Sequence, residues 1–458
     1  MSKCSLLRIL LPGFVLLLTG CDKEDVTTHF SVNPVVNKTT ILATVTEMPQ
    51  QTVDPSLAMG LHAPQLPSFQ PVFSKNGGGV AYRVETADKV YVVHNGRAGR
   101  PFDTVGEIAL SPDGRRVAYG ALAAGKWRMV LDGNEGAAFN TVKSPQFSPD
   151  GSHLAYQAMS GEKWYLVVDN ATNAGTNTRL LQHQFSADSR SIAYIDNADD
   201  FNRSGRLVVS DLAFVRQALI SPKASMMIVN RDGTRIAAIG LSDAGQHIVE
   251  CSFGRPEEVK TGRLYDAIHN PVFGPDGVAL AYTAERGGRR HIAFNAQEEL
   301  LPEGSSLVEP PVVRPDKKGV GAIISANNQA SYQQFFAGEE QQENRYEEAN
   351  GLIYNSDGSA HAYSARNGAS WFVVLNGREG ELFDRVISPK FSPNGKYLVY
   401  RARKDGKRFV VVANRSGKII RKHMAFEQVF DVVFTADGRS VAYGVKDGQK
   451  LVWRVESL

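Results

Sequence analysis

A turn phrase repeated along the chain constrains its fold more than any other feature. It reads Leu110-Ser111-Pro112-Asp113-Gly114, Phe147-Ser148-Pro149-Asp150-Gly151, Phe273-Gly274-Pro275-Asp276-Gly277, Phe391-Ser392-Pro393-Asn394-Gly395 and Phe434-Thr435-Ala436-Asp437-Gly438. Weaker copies begin at Phe73, Phe185, Val229, Val313 and Tyr354, giving ten starts spaced roughly 37 to 44 residues apart. Proline presets φ, Asp or Asn bonds its own backbone, and glycine accepts positive φ, so each copy predicts a tight turn between two strands.

One unit can be read through. Ser152-His153-Leu154-Ala155-Tyr156 leaves the turn as a strand, Ser160-Gly161-Glu162 turns the chain, and Trp164-Tyr165-Leu166-Val167-Val168 is a third strand rich in aromatic and β-branched residues. A short fourth strand leads to the next copy. No stretch carries a helical apolar period. Four antiparallel strands in each period of about forty residues make one propeller blade, and a blade buries its two faces only against neighbours. The predicted fold is therefore an all-β propeller over 69–458 with up to ten units. The number of blades and of rings stays open, because the copies at Val229 and Val313 are degenerate. The final unit stops after two or three strands, and an earlier segment near Thr40 to Val45 is the candidate to complete it.

The unit Phe-Ser-Pro-Asp-Gly followed by Leu154-Ala155-Tyr156 or Val441-Ala442-Tyr443 resembles the TolB-type propeller repeat, a relative of the WD repeat. A second phrase, Val92-Val93-His94-Asn95-Gly96-Arg97 leading to Phe102-Asp103, returns as Val373-Val374-Leu375-Asn376-Gly377-Arg378 leading to Phe383-Asp384. It resembles a subgroup of bacterial propellers. The likeness stops short of TolB itself. The stretch before the first repeat is too short for the α/β domain of TolB, and TolB is not lipidated.

The N-terminus carries a different signal. Lys3 and Arg8 precede the apolar run Ile9 to Leu18, which is shorter than the roughly twenty residues that span a bilayer. The run ends in Leu18-Thr19-Gly20-Cys21, which resembles a bacterial lipobox. Residues 1–20 are expected to be a signal peptide, Cys21 the site of lipid (palmitate) attachment, and 21–68 a partly disordered tether. Asp22 resembles an inner-membrane retention signal, with Lys23 a weak companion to it, so the choice of membrane stays open. Cys4 leaves with the leader, and only Cys251 remains as a thiol, so no internal disulfide is expected. The formal charge of +3 loses the two leader cations, leaving about +1 on the mature side chains. No basic stripe interleaved with aromatics points to nucleic acid.

No catalytic constellation stands out. There is no G-x-S-x-G elbow, no H-x-H or H-E-x-x-H, and no sialidase aspartate box. Neither metal nor cofactor is expected, and the repeated aspartates are read as turn caps. Trp127, Trp164 and Trp371 open the third strand of their units, which suits packing between blades or an aromatic ladder. The loops joining second to third strands should share one face. Two are basic: Arg286, Arg289 and Arg290, then Arg401, Arg403, Lys404, Lys407 and Arg408. Glu339, Glu340, Glu343, Glu347 and Glu348 form an acidic counterpart, and the segments Asn197 to Arg206 and Ala326 to Tyr332 are expected as the longest tips. The expected function is a non-enzymatic, membrane-tethered scaffold on the periplasmic side of an envelope membrane. It would meet a protein partner through Arg286, Arg289, Arg290, Arg403, Lys404 and Lys407. Glycan or peptidoglycan binding, and then propeller lyase or hydrolase chemistry, are the alternatives.

Overall fold

The computed structural model describes residues 36–44 and 71–458, apart from 75–77, 87, 200–202, 337–343 and 436–437. Residues 1–20, expected as a signal peptide, together with Cys21, Asp22, most of the 21–68 stretch and Glu339, Glu340 and Glu343, lie outside the described residues. Every regular element among those described is a β-strand, and no helix is long and apolar enough to cross a membrane.

The strands form eight four-stranded antiparallel sheets and one of seven strands. The seven-stranded sheet is two blades joined by one strand, Gln217–Val229. Residues 217–221 pair with Ser204–Asp211, the outer edge of one blade, and 224–229 pair with Arg235–Ser242, the inner part of the next. The sheets thus amount to ten blades, and ten apolar clusters lie between them, one at each junction. The cluster of Val80, Tyr82, Leu451 and Trp453 joins the last blade to the first, so the described blades close into one ring. Phe73 of blade one packs its ring, tilted, against those of Phe430 and Trp453 of blade ten, at 5.1 and 5.9 Å between centroids. The question of two rings is settled in favour of one, and the degenerate copies at Val229 and Val313 each fall within a member of it; in the member holding Val313 the first strand is split into Ser306–Leu307 and Val312–Val313, both paired with Val320–Ala326.

The turn phrase folds as its chemistry requires. In blade two, Ser111 Oγ donates to Asp113 Oδ1 at 2.6 Å and accepts from the Arg116 amide at 3.0 Å, while Gly114 takes φ +74°. Blade three repeats this at Ser148, Asp150 and Gly151. The Asp150 carboxyl is held well below the usual carboxylate range, first by the Ser148 hydroxyl and then by Ser152. These aspartates are bound to their own turns. The Asn-Gly phrase is the turn from third to fourth strand in blades one and eight, with positive φ at Asn95 and Gly96 and at Asn376 and Gly377. The Asn95 side chain accepts from the Val80 amide at 2.8 Å, and Asn376 does the same for His361 at 2.9 Å, tying third strand to second. Phe102 and Phe383 bridge the edge of their own blade at Val90 and Trp371, and Asp103 and Asp384 then pair their amides with the next blade.

Closure falls to Val36–Thr44, which pairs antiparallel with Lys450–Ser457 as the outermost strand of blade ten. It overlaps the segment expected to complete the blade and lies inside the stretch expected as tether. Next to this junction, Glu456 is buried between His423 of blade nine and Arg454, whose Nε donates at 2.7 Å. Burial raises the Glu456 carboxyl, but the His423 and Arg454 hydrogen bonds and charges outweigh it and bring it down to about 2.

Two outcomes follow for stability. A Cβ at Gly151 would sit 3.4 Å from Ser111 with φ at +75°, so Gly151→Val should cost about 1–3 kcal/mol in chemical denaturation. Glu456 has a folded pKa below its ordinary 4.5, so its contribution is complete above about pH 4.5 and is lost as pH falls towards about 2. Glu456→Gln should destabilise by about 3–5 kcal/mol near neutrality. The gap in thermal midpoint between parent and variant should narrow through that window; a gap constant from pH 7 to 2 would contradict the arrangement.

Candidate functional site

The ring divides its loops by chemistry. The Ser-Pro-Asp-Gly turns occupy one face, each satisfied by its own side chains. The second-to-third-strand hairpins and the links between blades share the other. On that second face, residues at the mouth of each blade line up across three adjacent strands. In blade two the row is Thr104, Leu122 and Trp127, and in blade three Thr141, Met159 and Trp164. In blade eight it is Glu348, Arg366 and Trp371, and Arg366 is bonded to Glu347 and Glu348 at 2.6 Å each.

Blade nine breaks this pattern. Its row is Arg385, Arg403 and Arg408, each directly opposite the next. Like charges so placed repel. Arg385 lays its guanidinium on the Trp371 ring of blade eight, 3.8 Å from the centroid. Arg408 donates to the Glu427 carbonyl. Among the described residues, no carboxylate forms an ion pair with Arg385, Arg403 or Arg408. Beyond the row, Lys404 faces Lys407 across a two-residue turn in which Asp405 and Gly406 take φ of 51° and 76°. That turn geometry matches the twist of the strands and holds the hairpin upright.

Beneath the row lies a cleft of about 370 Å³ between blades nine and ten. Arg385, Arg401, Arg403 and Arg408 contribute its basic wall, while Ile387, Val429 and Phe430 supply apolar surface. Arg401 is committed to the wall, donating to the Val429 carbonyl at 3.3 Å and to Ser388 Oγ at 3.1 Å. A second cleft, of about 500 Å³, runs along the inner strands of blades five to seven past Val229, Phe273 and Val313. It is lined mainly by apolar side chains and proline.

The six residues expected to meet a partner fall into two places, separated by blades seven and eight. Arg403, Lys404 and Lys407 stand on the hairpin over the arginine cleft. Arg286, Arg289 and Arg290 stand on the blade-six hairpin, where Arg286 pairs with Glu298 at 2.7 Å and Arg290 with Glu285 at 3.1 Å, leaving Arg289 exposed. Arg385 was missed by the sequence reading. It is 18 residues before Arg403, and only strand register puts the two side by side. Of the two tips expected to be longest, Ala326 to Tyr332 proves short, a pair of strands around a two-residue turn at Asn327 and Asn328, while 200–202 of the other lie outside the described residues. The three tryptophans pack between blades. Trp371 is buried under Arg385, and Trp127 and Trp164 lie against the cores of blades three and four. Glu347 and Glu348 belong to blade eight and its Arg366. Cys251 is buried, and burial pushes its thiol up to about 12. Among the described residues, no group of three or more His, Cys, Asp or Glu could hold a metal ion.

No family model and no curated protein matches the chain. Similar solved structures include a eukaryotic initiation factor, 10% identical over 77% of this chain and 97% of that one, with a TM-score of 0.45. TolB from Acinetobacter baumannii is 17% identical over 62% of this chain and 79% of its own, with a TM-score of 0.30. An oligogalacturonate lyase in complex with manganese is 11% identical over 85% and 96%, with a TM-score of 0.34. Identities this low transfer no activity.

Arg403 is the middle charge of the row, so Arg403→Gln should stabilise the fold by a few tenths to about 1 kcal/mol at low ionic strength. The gain should fade towards 1 M salt, where the screening length drops to about 3 Å. Denaturation at both ionic strengths checks this, and destabilisation at low salt would show that Arg403 has a structural partner.

Proposed function

We propose that this chain is a lipid-anchored, periplasm-facing propeller that serves as a non-enzymatic scaffold for a protein partner. The observation that carries the reading is the division of the two faces. One is occupied by self-satisfied turns, while the other presents basic hairpins and, at blade nine, cations that no described carboxylate balances. Rigid scaffolds recognise partners through loops of this kind. A basic face also steers acidic partners into encounter, more strongly at low salt. The anchoring rests on the lipobox-like Leu18 to Cys21, with Lys3 and Arg8 ahead of the apolar run.

The test is capture in the envelope. The full chain should label with palmitate and, after cross-linking, co-purify with a protein from the membrane fraction. Cys21→Ser should abolish the label. Neutralising Arg286, Arg289, Arg290, Arg403, Lys404 and Lys407 together should slow association at least tenfold at low salt and leave the thermal midpoint within a few degrees of the parent. Equal association rates would reduce this face to ordinary solvated surface. Recovery of saccharide in place of protein would transfer the reading to glycan binding.

A further inference from the structure

We propose that the arginine cleft between blades nine and ten is a docking site for an acidic peptide segment whose carboxylates flank an apolar side chain. The assignment rests on the scaffold reading above and names the kind of partner that blade nine would take.

The arrangement of charge comes first. Three arginines sit directly opposite one another on adjacent strands, whose backbones run about 4.8 Å apart, so like charges are gathered in one row within the fold. Local rules are broken in this way where function compensates. In blade eight the same row contains its own glutamate; in blade nine the row contains none, and among the described residues no carboxylate pairs with its three arginines. The identity of the cations matters too. Arginine presents a planar fork that grips a carboxylate through two parallel hydrogen bonds, which the point charge of lysine cannot do. Arg385 is held on Trp371 and Arg408 on the Glu427 carbonyl, so each has less rotamer freedom to lose when a ligand arrives. Arg403 stands between them.

The shape decides between occupants. The cleft is about 370 Å³, within the range that takes a ligand-sized group and far too small for a folded domain. Its apolar wall of Ile387, Val429 and Phe430 would stay wet beneath a bare inorganic anion. An apolar side chain beside carboxylates fills both halves, putting hydrocarbon on the wall and charge on the arginines. The Lys404 and Lys407 hairpin extends the positive surface outward from the cleft, where the rest of an extended segment would run.

The probe is a fluorescein-labelled pentapeptide of two glutamates, one phenylalanine and two glutamates, titrated into the mature chain by fluorescence anisotropy. Binding should weaken steeply with salt. It should fall about tenfold in Arg403→Gln or Arg408→Gln, and substantially in Arg403→Lys, which keeps the charge and loses the fork. Replacing the four glutamates by glutamine should abolish binding, and replacing the phenylalanine by alanine should weaken it several-fold. Because Arg403→Gln is expected to raise the thermal midpoint, a weaker complex in that variant is not a sign of unfolding. Unchanged binding in both Gln variants overturns the assignment. So does indifference to the phenylalanine, displacement by an equal concentration of pyrophosphate, or binding to phosphatidylglycerol vesicles with none to the peptide. If the Arg403→Gln, Arg408→Gln double variant still captures an envelope partner in full, the docking assignment fails and the scaffold reading survives. If the peptide binds as expected and no envelope partner is recovered, the scaffold reading fails and the cleft stands.

Discussion

Every blade is apolar on both faces, so the fold depends on burying each face against a neighbour until the circle is complete. A row of such sheets left open would expose one sheet face at each end, and closure removes both at once. The junction that achieves this uses distant parts of the chain. Val36–Thr44 pairs with Lys450–Ser457, and Phe73 reaches Phe430 and Trp453. The buried Glu456, between His423 and Arg454, ties blade nine to blade ten beside that seam. A buried ionic group of this kind tolerates few alternative arrangements, because removing one partner leaves the others uncompensated.

Ring closure also accounts for the division of labour between the faces. Ser-Pro-Asp-Gly turns must pack side by side near the inner rim, and they do so by satisfying their polar groups internally. Ser111 serves Asp113 and Arg116, and Ser148 serves Asp150 and His153. Little hydrogen-bonding capacity is left there for a ligand. On the opposite face the hairpins need only a turn compatible with strand twist. Asp405-Gly406, Gly287-Gly288 and Asn327-Asn328 all meet that need with positive φ at both positions. Residues flanking such turns are free to vary in charge. Blade six uses that freedom to pair Arg286 and Arg290 with glutamates, and blade nine uses it to concentrate arginine.

Much of the fold was legible from local chemistry. Proline, aspartate and glycine at fixed offsets specify one turn, Asn-Gly another, and the aromatic and β-branched runs between them specify strands. The expected closing strand near Thr40 to Val45 was legible because a blade lacking one strand requires a donor. The site was harder to read. Arg403, Lys404 and Lys407 stood out as a basic hairpin, but Arg286 and Arg290 looked the same in sequence. Their carboxylates, Glu298 and Glu285, are supplied by neighbouring strands. Charge density along the chain does not reveal whether a cation is already neutralised.

The sequence by itself determined the repeating unit, the turn types, the all-β class and the placement of the hairpins on one face. These follow from dihedral preferences and two-residue periodicity, which act over a few neighbouring residues. Only the tertiary structure decided that ten blades share a single ring, that one strand serves two blades at Gln217–Val229, and that Arg385 joins Arg403 and Arg408 above an apolar-walled cleft. These depend on strand register and on contacts between residues tens to hundreds of positions apart. A shift of one residue in register would turn every side chain of a strand to its other face. No local pattern in the chain carries that information; the complementary packing of adjacent blades does.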